Sequence, residues 1–148
     1  MDEIKVGLKG TLTLELRDEN GKLKETRRKD NIIVSSGFDF ICQQVSGTAV
    51  TTAMTYIAVG TGSTAPVIGN TALGAETARV NGTYAHTGGT QVFTVSATFN
   101  PGVATAAIQE AGVFNAASAG TMLDRVTFSV INKGANDTLT ATFQFTLS

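Results

Sequence analysis

A chain of 148 residues with 42% hydrophobic content has enough apolar material to fill one core, which excludes a multidomain organisation. A net charge of -1 removes any general electrostatic affinity for nucleic acid or for anionic lipid. A single cysteine, Cys42, excludes an internal disulfide and a cysteine-built metal site.

The charge is unevenly placed: 15 of the 23 acidic and basic residues lie in the first 30 positions. The remaining body is rich in threonine, alanine and glycine, a composition suited to β-structure with small neutral faces that other subunits can cover. Apolar runs are only a few residues long, so no membrane span is expected. The start, Met1-Asp2-Glu3-Ile4-Lys5, has neither the basic opening nor the apolar block of a secretion signal, and a soluble protein made in a cytoplasm is expected.

From Lys5 to Arg17 the residues alternate, with Val6, Leu8, Leu12, Leu14 and Leu16 on one side, which predicts a half-buried antiparallel strand. Asn20-Gly21 favours a hairpin turn, because both residues tolerate positive φ. The returning arm from Lys22 to Asp30 has Leu23 as its one sizeable apolar residue and ends in Arg27-Arg28-Lys29, the pattern of an exposed or edge strand. Residues 1–30 thus read as a charged N-terminal β-hairpin arm packed on the same domain, and 31–148 as the body.

Ser35-Ser36-Gly37 offers a helix cap, and Phe38, Ile41, Cys42 and Val45 follow at helical spacing. A helix over about 37–45 is predicted, lying across an open end of the sheet with Cys42 as a small core residue. Tyr56 to Gly60 reads as a core strand that enters a long loop containing Pro66, and the whole stretch from Tyr56 to Arg79 is expected to close over the sheet as a clasp. Val80 to His86 and Gln91 to Phe99 form a second strand pair around Gly88-Gly89, with His86 as a turn residue. A strand from Ile108 to Phe114 is expected to be interrupted at Glu110-Ala111-Gly112. Thr121 to Ile131 and Thr138 to Leu147 complete the set, the last alternating as cleanly as the first. Together these predict a mainly β fold: an antiparallel β-sandwich or small, jelly-roll-like β-barrel with one short helix.

Chemistry is sparse. Gly60-Thr61-Gly62 lacks the lysine and following helix of a phosphate loop, and no Gly-x-Ser-x-Gly elbow occurs. Glu76, Arg79 and Glu110 are the one constellation left. Two carboxylates suit glycoside cleavage only across a sugar-sized cleft, and no aromatic platform or tryptophan accompanies them. The structural reading is that Arg79 lies near Glu76 and that Glu110 meets the same guanidinium, a planar group able to hold two acceptors and nearby loop carbonyls.

Six stretches carry a resemblance: Gly21 to Arg27 (GKLKETR), Asn31 to Gly37 (NIIVSSG), Tyr56 to Pro66 (YIAVGTGSTAP), Thr71 to Arg79 (TALGAETAR), Gln109 to Phe114 (QEAGVF) and Gly120 to Leu123 (GTML). Their order, covering most of the chain, resembles a group of small structural proteins of tailed bacteriophages. The resemblance implies no catalysis and no cofactor, and a place in the virion after synthesis in the host cytoplasm; a metal site already fails on the inventory of residues. Similar modules serve as head decoration proteins and within tails or fibres. As a decoration or cement protein the chain would form a homotrimer and bind the major capsid protein through the charged hairpin, with Lys5, Lys9, Arg27, Arg28 and Lys29 as contacts. As a tail, collar or fibre component or receptor-binding module, its loops around Val67-Ile68 and from Ala116 to Gly120 would meet another virion protein or a host glycan.

Overall fold

The structure, a computed structural model, describes residues 7–47 and 52–148. Lys5 and the start of the first predicted strand lie outside the described residues. The alternation after Gly7 forms β1 (Leu8–Arg17), and the Asn20-Gly21 turn, with Gly21 at φ 80, returns the chain as β2 (Leu23–Ile33). Helix α1 (Ser35–Val45) follows, then β3 (Tyr56–Gly60), β4 (Glu76–Asn81), β5 (Thr83–His86), β6 (Val92–Phe99), β7 (Ala106–Phe114), β8 (Met122–Lys133) and β9 (Thr138–Leu147).

All strand pairs are antiparallel, in one sheet of order β4-β3-β7-β8-β2-β1-β9-β6-β5. The sheet folds back on itself as a nearly closed, barrel-like sandwich. One half is β2-β1-β9-β6-β5, and its inward residues Leu12, Leu14, Leu16, Val95, Phe99, Phe143 and Phe145 share a core with Ile57, Val59, Ile108, Val113, Val126 and Ile131 of the other. Residues alternate across each strand, so the opposite face of the first half presents Thr13, Thr142 and Ser96 side by side in register.

The halves are joined at two places. β2 pairs with β1 along most of its length but meets β8 only at Ile32↔Arg125 and Ile33↔Asp124. On the other side the predicted strand from Val80 to His86 divides into β4 and β5 at Gly82, where the chain passes from one half to the other. A Cβ on Gly82 would stand 2.3 Å from the Ser96 carbonyl oxygen, so only glycine allows this approach.

Where β3, β7 and the start of β8 meet, the second half is covered on both faces. Ile57/Val113 and Val59/Ala111 are cross-strand pairs in the main core, whereas Tyr56/Phe114 and Ala58/Gly112 point the other way. There Val34, Leu73 and Met122 join Ala58 and Phe114 in a second apolar cluster. Leu73 comes from the loop between β3 and β4, and its Cδ2 would lie 3.3 Å from a Cβ on Gly112. The loop therefore lies over the sheet as a clasp, although Glu76 to Arg79, expected within it, form strand β4.

The helix begins two residues earlier than predicted. Its N-cap is Val34 with no side-chain cap, and Ser36 donates its hydroxyl to the Met122 carbonyl instead (2.8 Å). Gly37 packs so closely that a Cβ would meet the Leu123 carbonyl oxygen at 2.2 Å. That approach turns Phe40 and Ile41 toward the core and leaves Cys42 exposed, correcting its expected core placement. Val45, on the same predicted apolar face, is 86% exposed. The predicted break at Glu110-Ala111-Gly112 is a slip of register between Ile108 and Glu110 within a continuous β7.

Candidate functional site

The clasp is held by a buried ion pair. Glu110 on β7 and Arg125 on β8 are 0% and 2% exposed, with Arg125 Nη2 3.3 Å from Glu110 Oε2. The carboxylate also accepts the backbone N–H groups of Gly74 and Ala75, each at 3.1 Å. Arg125 Nη1 donates to Asn70 Oδ1 at 3.1 Å, and the same oxygen accepts the Val67 N–H at 2.9 Å. Two side chains of the sheet thus fix the loop at Val67–Asn70 and at Gly74–Ala75. Gly62 must be glycine, since a Cβ would lie 2.0 Å from Glu110 Oε2.

The expected three-residue cluster is therefore two clusters. Arg79 does pair with Glu76, through Nη2–Oε1 (2.6 Å) and Nε–Oε2 (3.1 Å), but Glu110 belongs to Arg125. Register explains the difference. Arg79 stands opposite Ala58, toward the Tyr56 end of β3, whereas Glu110 stands opposite Gly60 at its far end. The Arg79 guanidinium stacks over Phe114, 3.7 Å from the ring centroid, and Nη1 donates to the carbonyls of Ala116 (2.9 Å) and Ala119 (2.8 Å). It fastens the loop between β7 and β8, in which Ala119 sits at φ 51. Glu110, enclosed by protein, lines no cleft in which it could serve as an acid for a sugar.

Both fastened loops expose small or apolar residues. Val67 and Ile68 are 57% and 58% exposed at the tip of the clasp. The Ile68 carbonyl accepts the Ser35 N–H at 2.8 Å, which sets the tip against the start of α1, where Phe38 is 42% exposed. The outward side of α1 also exposes Cys42 and Val45, the latter at the far end of the helix.

The residues expected to touch a partner divide. Lys5 lies outside the described residues; Lys9, Arg28 and Lys29 are exposed on β1 and β2. Arg27 is engaged internally. Its cross-strand neighbour is Leu14, an inward residue, so its guanidinium points across the gap to β8 and donates to the carbonyls of Ser129 (3.2 Å) and Val130 (2.7 Å). Beyond Ile32 the two strands have diverged, and this side chain stands where a backbone ladder would otherwise be. The hairpin lies on the body of the domain, β1 pairing with β9 from Leu8↔Leu147 to Arg17↔Thr138.

A cavity of about 580 Å³ opens between α1 and the β5–β6 hairpin, with Phe40, Ile41, Tyr84, Phe93 and Leu147 among its mostly apolar walls. His86 reaches it too, its Nδ1 2.8 Å from the Val92 carbonyl oxygen at the end of β5. Neither Glu76 nor Glu110 lines it. Among the described residues no group of three His, Cys, Asp or Glu is placed to hold a metal ion, and no helix is long and apolar enough to cross a membrane.

Sequence reasoning missed Arg125 and Asp124. Both sit in an alternating strand whose pattern predicts one inward and one outward side chain, and nothing local says that both faces are buried. Comparison with protein families, with curated proteins and with solved structures found no match to this chain, so its reading stands on the geometry above.

Proposed function

We propose that the protein is a non-enzymatic structural subunit of a tailed-bacteriophage virion, most concretely a capsid decoration protein that assembles as a homotrimer and binds the major capsid protein. The observation that carries this reading is the exposure of Val67 and Ile68 at the clasp tip, set against the start of α1 with Phe38, all three more than two-fifths exposed. Exposed apolar side chains on a charge-poor domain suit a face that another protein covers. The loop that presents it is fastened to the sheet by a buried ion pair, so the surface is preorganised and little ordering entropy opposes its docking. Arg28, Lys29 and Lys9 remain exposed for a charged contact at the capsid.

The test is to mix the purified chain with phage shells lacking their decoration and to image the particles. Density repeated over the shell supports decoration; density at one end of the virion assigns the chain to a tail, collar or fibre. Absence from both overturns the virion reading. Mass measurement in solution tests the trimer, and Val67→Ser/Ile68→Ser should abolish binding without lowering stability if the apolar tip makes the contact.

A further inference from the structure

Asp124 is 0% exposed, and it stands where β2 and β8 join. Its place follows from a bulge. Val113 pairs with Asp124 and Phe114 with Met122, so Leu123 is an extra residue in β8 and the ladder is broken there. The Val113 N–H donates to Asp124 Oδ1 instead, at 3.0 Å. The other carboxyl oxygen meets the side-chain amide of Asn31 on β2 at 2.5 Å. A second buried oxygen, Asn31 Oδ1, has no hydrogen-bond partner. Asn31 is itself pressed over Gly10 of β1, where a Cβ would be 2.2 Å from Oδ1.

Among the described residues no positive charge accompanies this carboxyl. Arg125, its neighbour in β8, points to the opposite face and is bound to Glu110 of β7. On β2, Asp30 accepts the Thr11 hydroxyl, and Arg28 and Lys29 are exposed; on β1, Lys9 is exposed; on α1, Asp39 is exposed and accepts from Gln43. Burial without a counter-charge raises the Asp124 carboxyl well above the usual carboxylate range, and the Val113 N–H opposes this only in part. The two ends of an asparagine amide fill nearly the same space, so with the amide turned end for end its oxygen accepts from a protonated Asp124.

We propose that Asp124 keeps its proton in the folded protein and donates it to the Asn31 side chain, forming a neutral latch that closes the sheet at β2–β8 and loosens when the proton is lost. The latch is placed to matter, because only Ile32 and Ile33 of β2 pair with β8, and the Val34 N–H to Leu123 carbonyl bond (3.2 Å) leads directly into α1. Loss of the proton leaves a buried anion with no counter-charge at the junction. It releases the end of β2 from the second half of the sandwich and takes with it the anchor of the helix. This inference is independent of any role in a virion.

The direction with pH follows from proton linkage. Between the ordinary value of 3.8 and the raised folded value, the folded chain holds a proton that the unfolded chain has given up. Stability from this group is therefore greatest at acid pH and falls as pH rises through that window, with the unfolding constant growing about tenfold per pH unit. Asp124→Asn keeps the shape and the neutral hydrogen-bond polarity at every pH, accepting from Val113 and donating to the turned Asn31.

The experiment follows the aspartate carboxyl carbons of the whole labelled chain by NMR through a pH titration, with urea unfolding and amide exchange at each pH for the native chain and for Asp124→Asn. The Asp124 resonance is expected to stay protonated after the exposed carboxylates have titrated. The variant is expected to lose about tenfold per pH unit of the native chain's rise in unfolding constant across the window, and exchange at Ile33 and Val34 should accelerate relative to β9 only in the native chain. An Asp124 signal that titrates with the surface carboxylates overturns the proposal even if the variant fails to fold, and so do parallel pH profiles for the two proteins.

Discussion

Replacing Glu110 by alanine tests the clasp at its most demanding point. The change removes the acceptor of the Gly74 and Ala75 N–H groups and of Arg125 Nη2, and leaves Arg125, 2% exposed, with Asn70 as its one remaining polar partner. Arg125 Nε already has no partner, so the stranded cation has little to fall back on. Breaking a buried pair from one side costs about 3–5 kcal/mol, because it leaves an uncompensated buried charge. A whole domain is stable by about 5–15 kcal/mol, so this single change removes a large share of the total. With a urea dependence of about 2 kcal/mol per molar, the unfolding midpoint should fall by about 2 M.

The assay is urea unfolding of the native chain, Glu110→Ala, Arg125→Leu and the double variant Glu110→Gln/Arg125→Leu. The double variant removes both charges while keeping one acceptor for the loop, and it should recover at least half of the loss. A cost below about 1 kcal/mol for Glu110→Ala, or a double variant no more stable than the singles, would refute the reasoning that a paired charge holds the loop. Limited proteolysis provides the local readout, with cleavage expected between Thr61 and Ala75 in Glu110→Ala.

The other predictions address separate joints of the molecule. Arg79→Ala should cost about 2–4 kcal/mol by freeing the Ala116 and Ala119 carbonyls and uncovering Phe114, and should open residues 115–121 to protease while 61–75 stays closed. Arg79→Lys should recover less than half of that, since an ammonium cannot hold Glu76 in two places and two carbonyls at once; full recovery in thermal melts would contradict this. Gly82→Ala drives a methyl to 2.3 Å from the Ser96 carbonyl and should destabilise by about 1–3 kcal/mol, seen as a lower melting temperature; an unchanged one would mean the corner is soft. Asp137 is held below the usual carboxylate range, first by the Lys24 ammonium at 2.9 Å and then by the Gly134 N–H. Its contribution is present above the ordinary value of 3.8 and is lost as pH falls through the folded value, so Asp137→Asn should flatten the acid limb of the stability profile.

Much of the architecture was legible because it is written with period two. Leu12, Leu14 and Leu16 and the Leu139 to Phe145 series name their strands and their inward faces without help from the rest of the chain. Gly82 was not legible as a corner, since its need for glycine comes from Ser96 on another strand. The α1 pattern misled in a specific way. Its apolar positions are read as one buried face, but contact at Gly37 rotates Phe38, Cys42 and Val45 outward, and only the close approach to Leu123 reveals that. The clasp was visible as a loop with unusual residues, and Glu110 was recognised as part of its attachment. Its partner was misassigned because pairing across β3, β7 and β8 decides which guanidinium it meets, and that is information about register, absent from any local stretch.

The Arg27 bridge has a consequence for behaviour at high concentration. An uncovered strand border such as β8 invites a neighbouring molecule to continue the ladder, and repeated addition of that kind ends in fibres. Here the Ser129 and Val130 oxygens are already occupied by a charged group from the same molecule, which a newcomer would have to displace and desolvate. Continuing the ladder at this border therefore requires that the Arg27 bonds be broken first.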